Sequence, residues 1–246
     1  MRHAYCDKFL ADLAETTLGS ARAIAPIVME LVRPTSVIDV GCGLGAWLLA
    51  FQECGVSRLR GIDGHYVDRT HLRVDPSCFV AADLASGSFS IEGRYDLALC
   101  LEVAEHLPER NADRLVQVLT EAAPVILFSA AVPGQGGVNH LNEQWPDYWS
   151  ELFRYRGFRM IDALRPKIRD NSRVAWFYRQ NLLVYVSELA VNNSAWIGDI
   201  RGCPSPGIEW VHMAVVRNYR DPKSWWRLNT QGIRRVLQRK LRRKGA

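Results

Sequence analysis

Residues 37–51 read VIDVGCGLGAWLLAF, an apolar run that is interrupted by three alternate glycines and then resumes. The β-branched residues before the glycines predict a strand, and AWLLAF after them predicts a helix. Glycine inside a regular element costs roughly 0.5–1 kcal/mol relative to alanine. Gly41, Gly43 and Gly45, here called the glycine loop, therefore indicate a turn whose backbone approaches something that side chains would exclude.

Further strands and helices alternate along the chain. Helical spacing of apolar residues before Pro34 predicts one or two N-terminal helices, and three later segments, AWLLAFQEC, NADRLVQVLTEAA and WPDYWSELFRYRG, are also helical. The predicted strands are SVIDV, RLRGID, CFVAAD, YDLALCLEV, PVILFSAAV, FRMIDAL and NLLVYVSEL. Because several strands are apolar on both faces, the pattern predicts an α/β fold in which helices cover both faces of a parallel sheet.

Composition favours one sizeable domain. The 246 residues are 48% apolar and 23% charged, which is typical of a globular protein, and no run has the length of a membrane span. The N-terminus lacks the apolar segment of a signal peptide, and the six cysteines form no CxxC pair, so we expect reduced thiols in the cytoplasm. No grouping of His, Cys and Asp has metal-ligand spacing, which predicts that the protein binds no metal.

Three aspartates accompany successive predicted strands. Asp39 lies in the first, Asp63 ends the second and Asp83 closes the third. The carboxyl ends of parallel strands share one edge of the sheet, where open α/β sheets bind ligands. A carboxylate at Asp63 can accept both hydroxyls of a ribose, and Asp83 can accept from an exocyclic amine. Each aspartate alone could equally cap a helix or form a turn, but the three together favour a nucleotide-like ligand.

These motifs resemble those of the Rossmann-like S-adenosylmethionine-dependent methyltransferases. DVGCGLG, the acid of GIDG, the ADL segment and DLALCLEVAEHLP follow the order and spacing of that family across about residues 34–187. HLNEQWPDYW is similar to a segment of bacterial members that are associated with glycan or natural-product pathways. A NAD-type loop is the competing interpretation, but its usual Gly-x-Gly-x-x-Gly places the third glycine one residue later.

The resemblance implies a seven-stranded, mostly parallel sheet with an antiparallel last strand, and S-adenosylmethionine at its C-terminal edge. Together with the helical N-terminus and the basic tail, it predicts an N-terminal helical cap (1–33), a cofactor-binding domain (34–190) and a C-terminal extension (191–246). The residues it assigns to the cofactor are Asp39, Gly41, Gly43 and Gly45 at the methionine part, Asp63 and Gly64 at the ribose, Asp83 and Leu84 at the adenine, and Leu101 and Glu102 beneath the sulfonium.

Two histidines follow strands on the cofactor side of the predicted sheet. Methyl transfer from a sulfonium is an in-line displacement, and a base helps when the acceptor is a hydroxyl. His140 is predicted to be that base or a substrate anchor. The resemblance implies that His106 lies near the methyl group. Alternatively, His106 packs against the start of the next helix, and His140 belongs to a loop that is held together by its own side-chain hydrogen bonds. Glu143 either orients His140 or caps the helix that begins at Trp145.

The C-terminal residues are strongly basic. Residues 217–246 contain eleven Lys or Arg and one acid, which leaves twenty bases and twenty-five acids in the rest of the chain. TQGIRRVLQRKLRRKGA has a helical apolar stripe, so it predicts a basic helical tail that docks on the domain, binds peripherally to an anionic membrane or contacts nucleic acid. Two observations argue against nucleic-acid binding: the rest of the chain is net acidic, and the sequence lacks the motif of methyltransferases that modify nucleic-acid bases.

The sequence therefore predicts an S-adenosylmethionine-dependent methyltransferase that acts on an oxygen or nitrogen of a small molecule or glycan. A cyclase that consumes the aminobutyryl arm of the same cofactor is one other hypothesis, and a nucleic-acid methyltransferase guided by the tail is another. The intact glycine loop and aspartates argue against a binding protein that has lost turnover. The oligomeric state is left open.

Overall fold

The computed structural model describes residues 2–86 and 89–193, with side chains placed for residues 15–86 and 89–190. The predicted basic tail lies outside the described residues, as does nearly all of the predicted C-terminal extension.

Seven strands form one sheet, as the sequence predicts. Their order across the sheet is β3-β2-β1-β4-β5-β7-β6, where β7 runs antiparallel to both of its neighbours and the remaining pairs are parallel. The predicted antiparallel last strand is therefore confirmed. In chain order the strands are β1 (Ser36–Val40), β2 (Arg58–Asp63), β3 (Phe79–Ala81), β4 (Leu97–Leu101), β5 (Val125–Ser129), β6 (Phe158–Ile161) and β7 (Leu183–Ser187).

Helices surround the sheet, and the N-terminal region is a single helix that contains Pro26. The α-helices are α1 (Arg2–Val32), α2 (Ala46–Glu53), α3 (Ala112–Ala122), α4 (Pro146–Arg154), α5 (Arg165–Ile168), α6 (Trp176–Asn181) and α7 (Glu188–Asn193). Helix α1 ends where Arg33 adopts a φ of +51° and Pro34 follows, because proline disfavours helical backbone in the preceding residue. Within residues 2–86 and 89–193, no helix combines the length and apolarity needed to cross a membrane.

Both faces of the sheet carry a hydrophobic core. Along β4, Leu97, Leu99 and Leu101 pack into the core that includes α1 and α2, whereas Ala98 and Cys100 pack into the core that includes α3 and α4. Successive side chains of a strand point to opposite faces. Because each face is covered, the central strands are largely apolar, and most of their polar groups lie near the strand ends.

An aromatic cluster fixes helix α4 against the sheet. The rings of Phe153 and Tyr185 stack with centroids 3.9 Å apart, and Phe128 contacts Trp149 at 5.0 Å. Trp149 is 2% exposed, which places its ring in the core. The cluster holds the start of α4, and with it the polar stretch that contains His140, next to the end of β5.

Phe153→Ala tests this anchor. Phe153 is fully buried, so its truncation should lower the free energy of unfolding by about 3–5 kcal/mol in urea denaturation. The matched control, Tyr155→Ala, removes a ring that is 73% exposed and should cost less than about 1 kcal/mol. Equal effects of the two substitutions would contradict the placement of Phe153 in the core.

Candidate active site

The glycine loop crosses the C-terminal edge of the sheet between β1 and α2. Gly41 has a φ of +83°, and a Cβ there would lie 2.3 Å from Val103 Cγ2, so only glycine permits this contact. Gly43 has a φ of +51°, and a Cβ there would meet nothing within 4 Å. One glycine is therefore required by protein packing, while another leaves open space at the edge where a ligand is expected.

Asp39, in β1 just before the loop, is buried with an unsatisfied oxygen. Its side chain is 2% exposed, and Oδ2 has no hydrogen-bond partner. Burial, with a smaller contribution from Asp63, raises the pKa of Asp39 to about 8. A buried polar atom without a partner is costly. The open Oδ2 therefore fits a hydrogen-bond donor or ammonium group of a bound cofactor.

Asp63, at the end of β2, already accepts several hydrogen bonds. The backbone N–H groups of Gly43 and Gly64 each donate to its carboxylate at 2.6 Å, and the hydroxyl of Tyr66 donates to Oδ1. The Tyr66 ring lies over Gly64, where a Cβ would be 2.2 Å from ring atom Cε1. Tyr66, which the sequence analysis missed, therefore occupies a donor position on the carboxylate predicted to bind the ribose.

Asp83 lies beyond the end of β3 and shapes a turn. Its Oδ1 accepts from the N–H of Ala85 at 2.9 Å, and its carbonyl accepts from Ser86. The turn that follows, a single-turn helix over Leu84–Ser86, buries the Leu84 side chain. This geometry matches the turn-forming alternative left open by the sequence, and contact with the adenine stays a prediction.

A network of amides surrounds Glu102, directly after the buried Leu101 that ends β4. Asn181 Nδ2 and Gln135 Nε2 each donate to the Glu102 carboxylate at 3.1 Å. Glu102 has a φ of +57°, a conformation that costs about 1–3 kcal/mol for a residue other than glycine. Burial raises the pKa of Glu102, although hydrogen bonds from Asn181, Ser129 and Gln135 oppose the shift.

Strand topology brings the amides to this edge. Because β7 is antiparallel to β5, its first residues pair with the last residues of β5, as in Phe128 with Leu183. Asn181, at the end of α6 just before β7, is thereby placed beside the C-terminal ends of the parallel strands. Neither Asn181 nor Gln135 belongs to a recognisable sequence motif, so their place in the site was not predicted.

The structure brings His106, His140 and Glu143 together. The two imidazole rings meet edge to face with centroids 4.9 Å apart, and His140 Nδ1 lies 3.0 Å from Glu143 Oε1. The Glu143 carboxylate also accepts from the N–H groups of Gly134 and Gly136. Glu143 thus orients His140 and holds the loop, whereas α4 has no side-chain cap.

Charge effects differ among these groups. Burial raises the pKa of Glu143, but hydrogen bonds from His140 and Gly134 outweigh it and leave that pKa lowered. Partial desolvation of the ring, together with nearby His140, lowers the pKa of His106. Glu143 is therefore ionised at neutral pH and able to accept a hydrogen bond from His140 Nδ1.

Glu105 is a further buried acid that sequence reasoning missed. It is 1% exposed and its Oε2 has no hydrogen-bond partner. Its carbonyl accepts from the N–H groups of Leu141 and Asn142 at 2.7 and 2.9 Å, which ties the turn after β4 to the loop after β5. Burial, and next the neighbouring Glu102, raise the pKa of Glu105 well above its usual value.

Comparison with known protein families decides the assignment. The family described as "Methyltransferase domain" matches residues 2–164, more than half of the chain. The chain belongs to this methyltransferase family. The resemblance noted in the sequence is thereby confirmed, and S-adenosylmethionine is the cofactor of enzymes of this kind. No curated protein matches the chain.

Solved structures share the fold of this methyltransferase at low identity. Streptomyces venezuelae DesVI has a TM-score of 0.57 and 14% identity over 76% of this chain and 98% of its own. The plantazolicin methyltransferase BpumL, solved with a monoazolic desmethylPZN analog and SAH, has a TM-score of 0.53 and 16% identity over 76% of this chain and 89% of its own. An O-methyltransferase family protein from Burkholderia thailandensis has a TM-score of 0.50 and 14% identity over 68% of this chain. The matched region covers only 56% of that protein.

Asp39→Asn tests the buried carboxyl. The pKa of Asp39 is about 8 in the folded protein and 3.8 for a free side chain. Between these values Asp39 ionises in the unfolded chain but stays protonated in the folded protein, so the free energy of unfolding of the wild type falls as the pH rises. Asparagine does not ionise, so the variant does not show this fall. Its unfolding free energy relative to wild type should therefore rise with pH by up to about 1.4 kcal/mol per unit. Urea denaturation between about pH 5 and pH 8 measures the difference, and a constant difference would contradict the shifted pKa.

Proposed function

We propose that the protein transfers the methyl group of S-adenosylmethionine to an oxygen or nitrogen of a small molecule or glycan. The contact of Gly41 with Val103 carries this proposal, because Val103 lies between Glu102 and Glu105 in the turn after β4. The glycine loop therefore meets, at one edge of the sheet, the polar cluster of Glu102, Glu105, His106, His140 and Glu143. In-line transfer requires the donor and the acceptor to be aligned in this way.

The cofactor would occupy the open side of the glycine loop. The unpartnered Oδ2 of Asp39 and the space beside Gly43 support its methionine part there. The proposed contacts are Asp39, Gly41, Gly43 and Gly45 for the methionine part, Asp63 and Gly64 for the ribose, Asp83 and Leu84 for the adenine, and Leu101 and Glu102 beneath the sulfonium.

The acceptor would lie against the histidine pair. His140, oriented by Glu143 at 3.0 Å, is placed to hold the acceptor or to take its proton, and His106, whose ring contacts that of His140, forms the adjoining part of the same wall. Val138 and Leu141, on either side of His140, are 70% and 66% exposed, which suits an acceptor with an apolar part. BpumL, one of the fold neighbours, is named for methylation of plantazolicin, which supports a natural product or related small molecule.

The cellular setting is proposed from the thiols. Cys42, Cys54, Cys78 and Cys100 are all unpaired, which supports a reducing compartment and hence the cytoplasm. Peripheral membrane contact through the basic tail stays a prediction.

Cofactor titration and product analysis test the proposed function. The purified protein should bind both S-adenosylmethionine and S-adenosylhomocysteine with micromolar affinity in calorimetry, because Asp39 and the glycine loop are intact. With an acceptor, the released product should be S-adenosylhomocysteine. Methylthioadenosine would instead identify a cyclase, and a failure to bind either compound would contradict the cofactor site.

Asp63→Ala and Tyr66→Phe should shift the affinity for S-adenosylhomocysteine in opposite directions. Asp63→Ala removes the ribose acceptor and should weaken binding by about 1–3 kcal/mol. Tyr66→Phe removes a hydroxyl that competes for the same carboxylate and should strengthen binding by up to about 1.5 kcal/mol. Unchanged affinity in Asp63→Ala would refute the ribose assignment. Weaker binding in Tyr66→Phe would show that the hydroxyl assists the ligand.

A further inference from the structure

We propose that Glu105, His106 and His140 bind a divalent transition-metal ion, and that this ion holds a hydroxyl of the acceptor. One ligand atom from each side chain lies within 4.8 Å of the other two. The role of the ion rests on the proposed function, whereas its binding does not. This site was not predicted from the sequence spacing, because the three ligands come from two separate loops.

One nitrogen of His140 already has a hydrogen-bond partner, since Nδ1 lies 3.0 Å from Glu143 Oε1. The His106 ring lies next to the Asn139 backbone, whose hydrogen bonding opposes the lowering of the His106 pKa. Metal-binding histidines typically donate their second N–H to a carboxylate or carbonyl, which fixes the ring and its tautomer. The remaining nitrogen of His140, Nε2, faces Gly137, where a Cβ would lie 2.2 Å away and would cover it.

Glu105 supplies the third ligand, and its unpaired buried oxygen is independent evidence that a ligand binds there. The side chain is 1% exposed, and Oε2 has no hydrogen-bond partner. Buried carboxylates are normally paired or bound to metal, since an isolated one is costly. The carboxyl groups of Glu102 and Glu143 also act on Glu105 as like charges. A cation between Glu105 and the two histidines would neutralise this concentration of acid.

The ligand set restricts the ion and the chemistry. Two imidazoles with one carboxylate suit first-row ions such as Zn²⁺, Mn²⁺, Fe²⁺ or Co²⁺, and three protein ligands leave coordination positions open, as in catalytic sites. An acceptor hydroxyl in such a position loses its proton to solvent more readily. Its oxygen forms the bond to the methyl carbon while the sulfur–carbon bond breaks, giving a methyl ether and S-adenosylhomocysteine. In this arrangement His140 anchors the acceptor through the ion, and the acceptor atom is oxygen.

Metal titration of the full-length protein tests the site without a methyl acceptor. Protein stripped with EDTA and dialysed into metal-free buffer is titrated with MnCl₂ in calorimetry, and separately with CoCl₂ while visible absorption is followed. We expect one tight equivalent per chain. The variants Glu105→Gln, His106→Asn and His140→Asn should each weaken this binding at least about tenfold. The control is His71→Asn, which removes a surface histidine that lies 3.2 Å from Asp68 and should bind as wild type does.

A thermal readout separates loss of the site from loss of the fold. Mn²⁺ at about 100 times its Kd should raise the Tm of the wild type by about 5–10 °C and leave that of Glu105→Gln unchanged. Retained affinity for S-adenosylhomocysteine shows that each variant is folded.

The outcomes keep the two proposals apart. Equal metal affinity in wild type and all three variants would overturn the metal site. Methyl transfer that survives EDTA treatment in a protein without a tight ion would also overturn it, while leaving the proposed function intact. Ion binding that depends on the three ligands, in a protein that releases no S-adenosylhomocysteine with any acceptor, would support the site and count against the proposed function.

Discussion

The contact between the Gly41 backbone and the Val103 side chain joins the two halves of the site. A Cβ at Gly41 would lie 2.3 Å from Val103 Cγ2, so any other residue would push the glycine loop away from the turn after β4. That turn carries Glu102, Glu105 and His106. The distance between the glycine loop, where we propose that the cofactor binds, and the turn after β4 therefore depends on the absence of a side chain at Gly41. The parallel pairing of β1 with β4 holds the two segments in register.

A second constraint is the burial of acids at the same edge. Asp39 and Glu105 are each buried with an oxygen that lacks a partner, whereas the Glu102 carboxylate is satisfied by amides. Such groups lower the stability of the ligand-free protein. In the two proposals, cationic ligands offset this cost: an ammonium or sulfonium near Asp39 and Glu102, and a metal ion near Glu105. The proposed site is thus arranged for positive charge at two neighbouring points.

The parts of the fold that depend on local pattern were predictable from the sequence. Strands buried on both faces read as apolar runs, and Asp39 and Asp63 could be located because parallel strands end at one edge. Residues that reach the site through tertiary structure were not predictable. Asn181 arrives because β7 reverses direction beside β5, and Glu105 reads in sequence as an ordinary acid of a short turn. Tyr66 was missed because its contact with Asp63 depends on the bare backbone of Gly64.

The loop after β5 is held by its own hydrogen bonds, and this determines how the site can select an acceptor. Glu143 accepts from Gly134 and Gly136, while the Glu105 carbonyl accepts from Leu141 and the residue after it. His140 is therefore fixed from both sides before any ligand binds. A wall that is organised in advance gives up little entropy when an acceptor docks. It also holds the reacting groups in alignment, on which in-line transfer depends. With the acceptor placed here as proposed, selectivity would come from the shape and polarity of this wall. The exposed Leu141 beside the polar cluster would favour an acceptor whose reactive atom lies next to an apolar group.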